Sequence, residues 1–446
     1  MTAPVPGTPW SGRSHGDLAE LVRELLLAGH LIDRAGMPHV IGHLGREPMA
    51  EVAIGEWMAA SPIYTKRMQA LLGFEGDTVE TIFKGIQLDV GAPPEFMDFR
   101  FVVDDDRHGS FQLGHCGALM DVETMGDEYV TTMCHDIEDP TFDATAIATN
   151  PRARMRPVHR PPRVPTDRVP HCEWTVVIDE ANDELPVPPG ALALAASGAA
   201  KVPLAVPDPS LPDDDGWADY AGPLDVDLVM ERFSSATLSA IADEVALQGQ
   251  LLSRAFLVEV AERVGPADVT AIGIAQASGI AGLSTKRLAT ALDAPATLAG
   301  LAEVLAVHPL FLPRSYVDLD LRCSGAGDQL LVRLRPCSAV GEVDGLTWAA
   351  LMAGPGGDAI LRAAAVCLVR TVRIARLVSE VATWTITDHP DTEPAPQPDS
   401  VTLTEFSTGS KFEFRRRQVG EPSASTPVSA PQRRSASVSS RQNDRG

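Results

Sequence analysis

The sequence predicts an α+β fold built as a tandem duplication: a helical domain with a β-hairpin and a small antiparallel sheet occurs twice, and the copies form a pseudo-dimer. Internal repetition predicts the duplication. "GHLIDRA" (Gly29–Ala35) returns as "GQLLSRA" (Gly249–Ala255), a shift of 220, and "YTKRMQALL" from Tyr64 returns at the same shift as "STKRLATAL" from Ser284. "FMDFRFVVDDDRHGSFQLGHCGAL" answers "YVDLDLRCSGAGDQLLVRLRPCSAV", with Asp98 opposite Asp318 and Cys116 opposite Cys337. "CEWTVVID" has a fainter echo in "ATWTITD", with Trp174 opposite Trp384. The α+β class follows from the pattern inside each copy, where long 3.6-period segments precede short alternating ones.

The elements follow in order. The first copy opens with an amphipathic helix carrying Leu18, Leu21, Val22, Leu25, Leu26 and Ile32, and the second with one carrying Leu247, Leu251, Phe256 and Val260. Further helices are expected at about 47–60, 63–72 and 77–90. Two alternating strands, "FMDFRFVVD" and "GSFQLGHC", then flank "DDRHG", a polar turn containing Gly109. A helix at about 124–138, the Pro-rich loop "RPVHRPPRVPTDRVP" and a closing strand "EWTVVID" complete the copy. The predicted domains are 15–180 (the candidate active copy), 181–225 (a Pro/Ala-rich linker), 226–387 (a degenerate copy) and 388–446 (a disordered tail rich in Pro, Ser and Arg).

Charge narrows the function. The chain carries a formal −23, while Asp388–Gly446 holds eight acidic and eight basic residues, so the negative field belongs to the folded body. Such a body is repelled by phosphate backbones and anionic membranes. Nucleic acid is therefore an unfavoured partner, although "VTAIGIAQASGIAGLSTKRLATAL" has the rhythm of a helix-turn-helix regulator. The amino-terminal residues lack the pattern of a signal peptide, and no apolar run suits a membrane span, so a cytoplasmic setting with reduced cysteines is expected. Self-association into a homo-oligomer stays open.

The copies differ where chemistry would lie. Nine of the eleven histidines precede residue 172, and the second copy has roughly "GPGGDAI" where the first has "MCHDIED". That segment reads either as a solvated helix face or as a site, and its loss from the second copy favours a site. Candidate catalytic residues are Cys134, His135, Glu138 and His159. A thiol near an imidazole can act as a nucleophile, and a carboxylate can orient the imidazole or activate water. Cys116, Cys134, His135 and Cys172 are also candidate ligands for zinc or iron, with metal-bound water as the attacking group, although no C-x-x-C spacing is present. His115 and His171 directly precede two of these cysteines. Arg156, Arg160 and Arg163 in the Pro-rich loop are candidates to hold a small-molecule carboxylate. His30, His39 and His43 approximate one helix face and read as surface or groove.

The order Cys116, Cys134 and "NPRARMRPVHRPPRVPTDRVPHCEW" resembles the L-2-amino-thiazoline-4-carboxylic acid hydrolase-like family over residues 15–180. Cys116, Cys134 and Cys172 fall on the three cysteine positions of that family. Asn150-Pro151-Arg152 stands near its "DPR", and His159 with Pro161-Pro162 stands where relatives have Cys and Pro-Pro. The resemblance implies hydrolytic opening of a C–N bond in a small cyclic or amide substrate bearing a carboxylate. The alternative is a small-molecule or metal-binding sensor without turnover.

Overall fold

A computed structural model describes residues 8–212 and 214–415. Helix α1 (His15–Leu44) is capped by Ser14, whose hydroxyl accepts from Asp17 N while Asp17 accepts from Ser14 N, each at 3.2 Å. Gly45, at φ 93°, takes a backbone that L-residues avoid and turns the chain straight into α2 (Arg46–Leu72). Then come α3 (Val79–Ile86), β1 (Met97–Val103), β2 (His108–Cys116), α4 (Gly117–Val122), α5 (Asp127–Thr131), a π turn (Thr132–Ile137), α6 (Glu138–Ile147), β3 (Ala153–His159) and β4 (Cys172–Ile178). After α7 (Pro189–Ala195), the second half runs α8 (Ser235–Ala261), α9 (Pro266–Ala291), α10 (Leu298–Ala306), β5 (Leu319–Cys323), β6 (Gln329–Leu334), α11 (Trp348–Ala353), α12 (Asp358–Val366), β7 (Val372–Leu377) and β8 (Ala382–Asp388). Helix α13 (Asp399–Thr404) follows.

The two four-stranded antiparallel sheets have the orders β1-β2-β4-β3 and β5-β6-β8-β7. Their central tryptophans, Trp174 and Trp384, are fully buried. Ser234, 220 residues after Ser14, caps α8 by accepting from Thr237 N. Helices α1 and α2 pack on α8, and α1 also packs on α9, so the two halves share a helical centre. Gly36 permits the close approach: a Cβ there would meet Phe256 of α8 at 2.7 Å and Gln276 of α9 at 2.9 Å.

Several expectations change. The segments at 47–60 and 63–72 are one helix, continuous through Pro62. The helix-turn-helix rhythm is a single 26-residue helix, α9, with no turn. Part of the Pro-rich loop is strand β3, where Pro157 sits opposite Trp174. A proline is tolerated there because β3 is an edge strand. The linker contains α7, packed on α2. Residues 388–415 of the expected disordered tail are ordered: Val401 is fully buried, and Phe412 and Phe414 pack on the core. Their composition hid three apolar anchors among polar residues. The rest of that tail, 416–446, lies outside the described residues.

Candidate functional site

The first half holds a partly open cavity of about 510 Å³ between α1, α2, the segment after α3, β1, and the α4–α6 stretch, with Leu403 of α13 and Phe406 just after it covering one side. Its wall is mostly Met, aromatic and aliphatic, as small-molecule sites usually are. The ionisable groups on it are His30, Asp33, Arg34, Asp89 and Glu138.

Three of these come from one helix. His30, Asp33 and Arg34 stand at i, i+3 and i+4 and so share a face of α1. Each is buried, at 4–6% exposure, yet His30 Nε2, Asp33 Oδ1 and Arg34 Nη2 find no hydrogen-bond partner among the described residues. The two charged groups also face each other, with Arg34 Nη1 3.6 Å from Asp33 Oδ2. Trp57 Nε1 donates to Asp33 Oδ2 at 3.0 Å, and Arg34 Nε donates to Asp121 Oδ2 at 3.1 Å. Burial and the Arg34 charge lower the His30 pKa to about 3, so the ring is neutral. Glu56 is completely buried against Asp33, and desolvation with the Asp33 charge pushes its pKa well above the carboxylate range. Glu56 therefore keeps its proton. Asp89 accepts from Tyr64 Oη at 3.0 Å and from Gly91 N at 2.7 Å, while burial raises its pKa to about 6.

Glu138 faces the cavity from the opposite wall. The motif that drew attention in the sequence forms the π turn, where Pro140 has no N–H for the carbonyl four residues back. Wider turns of this kind collect at functional sites. The turn sets Thr132, Met133, Ile137, Glu138, Thr141 and Thr145 on one broad face toward the cavity. Burial raises Glu138 to about 8, with Arg160 opposing and Asp139 adding to the shift.

Behind Glu138 lie the three thiols. Cys116, Cys134 and Cys172 are buried and electrostatically coupled to Glu138 and to one another. Desolvation first, and Glu138 second, hold all three as neutral thiols, with Cys116 pushed up to about 12. Cys116 Sγ also caps α4 by accepting from Leu119 N at 3.4 Å. None of the three lines the cavity.

The other candidates are placed elsewhere. His135 contacts Pro161 O through Nε2 at 2.7 Å and thereby ties the Pro-rich loop to the π turn. His159 stands 3.8 Å from Glu173, and burial lowers its pKa. Arg156 pairs with Asp143 at 2.9 Å, Arg163 makes a two-pronged bond to Glu123 at 2.8 and 2.7 Å, and Arg160 pairs with Asp139 while lying 5.8 Å over Trp174. All three arginines are occupied by carboxylates of the chain, and none lines the cavity. His115 and His171 face each other at 5.9 Å, and desolvation lowers both pKa values, His171 to about 4. Among the described residues, no three His, Cys, Asp or Glu side chains are arranged to hold a metal ion.

Sequence reasoning missed Asp33, Arg34, Glu56, Asp89 and Trp57, and read His30 as surface or groove; it is buried on the cavity wall. A signal was present: "HLIDR" puts three ionisable residues on one face of a helix stretch whose neighbours, Leu25–Gly29 and Ala35–Met37, are all apolar or small. The repeat sharpens it, since His30, Asp33 and Arg34 correspond to Gln250, Ser253 and Arg254. There Gln250 Nε2 reaches three backbone carbonyls at 3.1–3.3 Å, and Arg254 grips Asp344 with two bonds at 2.9 and 2.8 Å. The second half thus meets the Gln250 amide and both Arg254 Nη atoms from within the chain, while the first leaves His30 Nε2 and Arg34 Nη2 without partners among the described residues, beside a cavity.

Among the described residues no helix is long and apolar enough to cross a membrane. In comparisons with known proteins, no family model, no curated protein and no solved structure matches this chain.

Proposed function

We propose that the protein binds a small molecule with a predominantly apolar body in the cavity of the first half. The observation that carries this reading is the coincidence of a partly open, mainly apolar cavity of about 510 Å³ with three buried polar atoms on its wall that find no partner among the described residues. A buried polar atom without a partner costs about 1–3 kcal/mol, which a bound ligand would recover. The test is calorimetric titration with a compact neutral probe, skatole, on the wild type and on Thr145→Trp, whose indole would fill the space. Binding by the wild type and none by the variant supports the reading. Equal binding by both, or none by either, rejects it.

A second reading, hydrolysis of a C–N bond, is favoured by one observation: Glu138, a carboxyl with a pKa raised to about 8, faces the cavity from the first residue of α6, directly after the π turn. Its ionised form, which grows as pH approaches 8, suits general-base activation of water. On this reading Glu138, rather than Cys134, His135 or His159, acts on the substrate. A cyclic amide or thiazoline carboxylate turned over by the wild type, but only bound by Glu138→Gln, would establish it.

We further infer a tandem duplication in which the second half became a structural partner. Support comes from the shared sheet order, the paired caps Ser14 and Ser234, and the matched ion pairs Arg34–Asp121 and Arg254–Asp344.

A further inference from the structure

We propose that the ligand is an apolar α-amino acid, with its ammonium on Asp33 and His30 and its carboxylate on Arg34. This rests on the binding role argued above and names the chemistry of the head group.

Each of the three atoms calls for a complementary group. Arg34 Nη2 is a charged donor and needs an acceptor; Asp33 Oδ1 is an acceptor and needs a donor. His30 is neutral, and in its Nδ1–H tautomer its Nε2 accepts as well. The three come from one helix face, with about 5–6 Å between neighbouring Cβ atoms, so a single small head group can reach all of them.

A simple carboxylate would satisfy Arg34, but it would meet Asp33 and Asp89 on the same wall, with Asp121 already paired to Arg34 behind it. A simple amine would satisfy Asp33 and His30, but would leave Arg34 Nη2 buried and unpartnered. A head carrying both charges answers each atom with its complement and adds no net charge. Beyond the head, Trp57, Phe99, Tyr129 and Phe142, with Met37 and Met133, offer an aromatic and thioether wall. Such a wall suits a large apolar side chain. Neither Arg156, Arg160 nor Arg163 is needed, since each already holds a carboxylate of the chain.

The experiment is calorimetry at neutral pH with four indoles of one body: L-tryptophan, tryptamine, indolepropionate and skatole. L-tryptophan should bind at least about tenfold tighter than tryptamine or indolepropionate, because either loss leaves a buried charged group unpaired. Asp33→Asn should erase the advantage of L-tryptophan over indolepropionate, and Arg34→Lys should shrink its advantage over tryptamine. Circular dichroism checks that each variant is folded, and either one alone suffices to test the assignment. Equal affinity for all four overturns the amino-acid inference and leaves the cavity reading standing. Tighter binding of indolepropionate or tryptamine than of L-tryptophan overturns it in favour of a singly charged ligand. Failure of all four, skatole included, removes the cavity reading and this inference with it.

Discussion

Arg34 and Asp121 form a buried ion pair, Nε to Oδ2 at 3.1 Å, that ties the first helix to the end of the described chain. Asp121 also accepts from Ser407 Oγ, Thr408 N and Thr408 Oγ1, each at 2.7 Å. A carboxylate with this many donors stays ionised, and its pKa is lowered: the Arg34 charge and these hydrogen bonds outweigh the desolvation of burial. Replacing it strands a buried guanidinium. Asp121→Ala should therefore destabilise the protein by about 3–5 kcal/mol. Denaturant unfolding reads this, and a loss under about 1 kcal/mol would show that the latch contributes little.

Glu138 sets a pH dependence whose sign can be worked out. Its folded pKa is raised to about 8 from an ordinary value of 4.5. Between those values the folded state keeps a proton that the unfolded state has lost, so stability falls as pH rises through that window and levels off above it. One proton limits the slope to about 1.4 kcal/mol per pH unit. Asp89, raised to about 6, acts in the same direction over the lower part of the range. Glu138→Gln should flatten the slope between about pH 6 and pH 8, measured as Tm in a series of buffers. An unchanged slope would mean that Glu138 is ionised in the folded protein.

The thiols supply a third prediction. Burial keeps Cys116, Cys134 and Cys172 neutral, whereas Cys323, Cys337 and Cys367 are only half-buried. Thiolate is the reactive form, and access is the second requirement. Iodoacetamide under native conditions, followed by peptide mass spectrometry, should label the second-half cysteines well before the first-half three. Rapid labelling of Cys134 would restore it as a nucleophile. Elemental analysis of the same preparation tests the zinc or iron reading directly.

How much was legible in the sequence depended on whether a pattern was local. The hairpin β1–β2 and the closing strand β4 fall within a residue of their expected bounds, because alternation is read from neighbours alone. The strand β3 was hidden by Pro157, whose tolerance depends on lying at an edge. The site was harder. Glu138 was found through a contrast between the halves, but Asp33 and Arg34 became visible only when tertiary packing showed that α1 is buried on nearly all sides. A helix packed by its own chain on one side and by a second half on the other makes polar residues look like surface when periodicity is the only guide. The cysteines were conspicuous as residue types, yet their chemistry depends on solvent access, which the sequence does not carry.

The last prediction concerns the roof of the cavity. Leu403 and Phe406 line it while remaining 42% and 40% exposed, whereas their neighbours carry the attachment. Val401 is buried against Gly282, where an added Cβ would approach its Cγ2 to 2.4 Å, and Ser407 and Thr408 bond to Asp121. Roof and anchor can thus be separated by mutation. Leu403→Ser with Phe406→Ser removes apolar area that covers a ligand but little that holds the fold. Half-exposed side chains away from buried networks contribute modestly to stability, so a change within about 1 kcal/mol is expected. Loss of apolar cover worth about 1.5 kcal/mol lowers affinity about tenfold. Skatole titration and denaturant unfolding on the same double variant test both parts. Weaker binding at near-normal stability makes the segment after β8 a working part of the first half's site. Unchanged binding would confine the site to the first half alone.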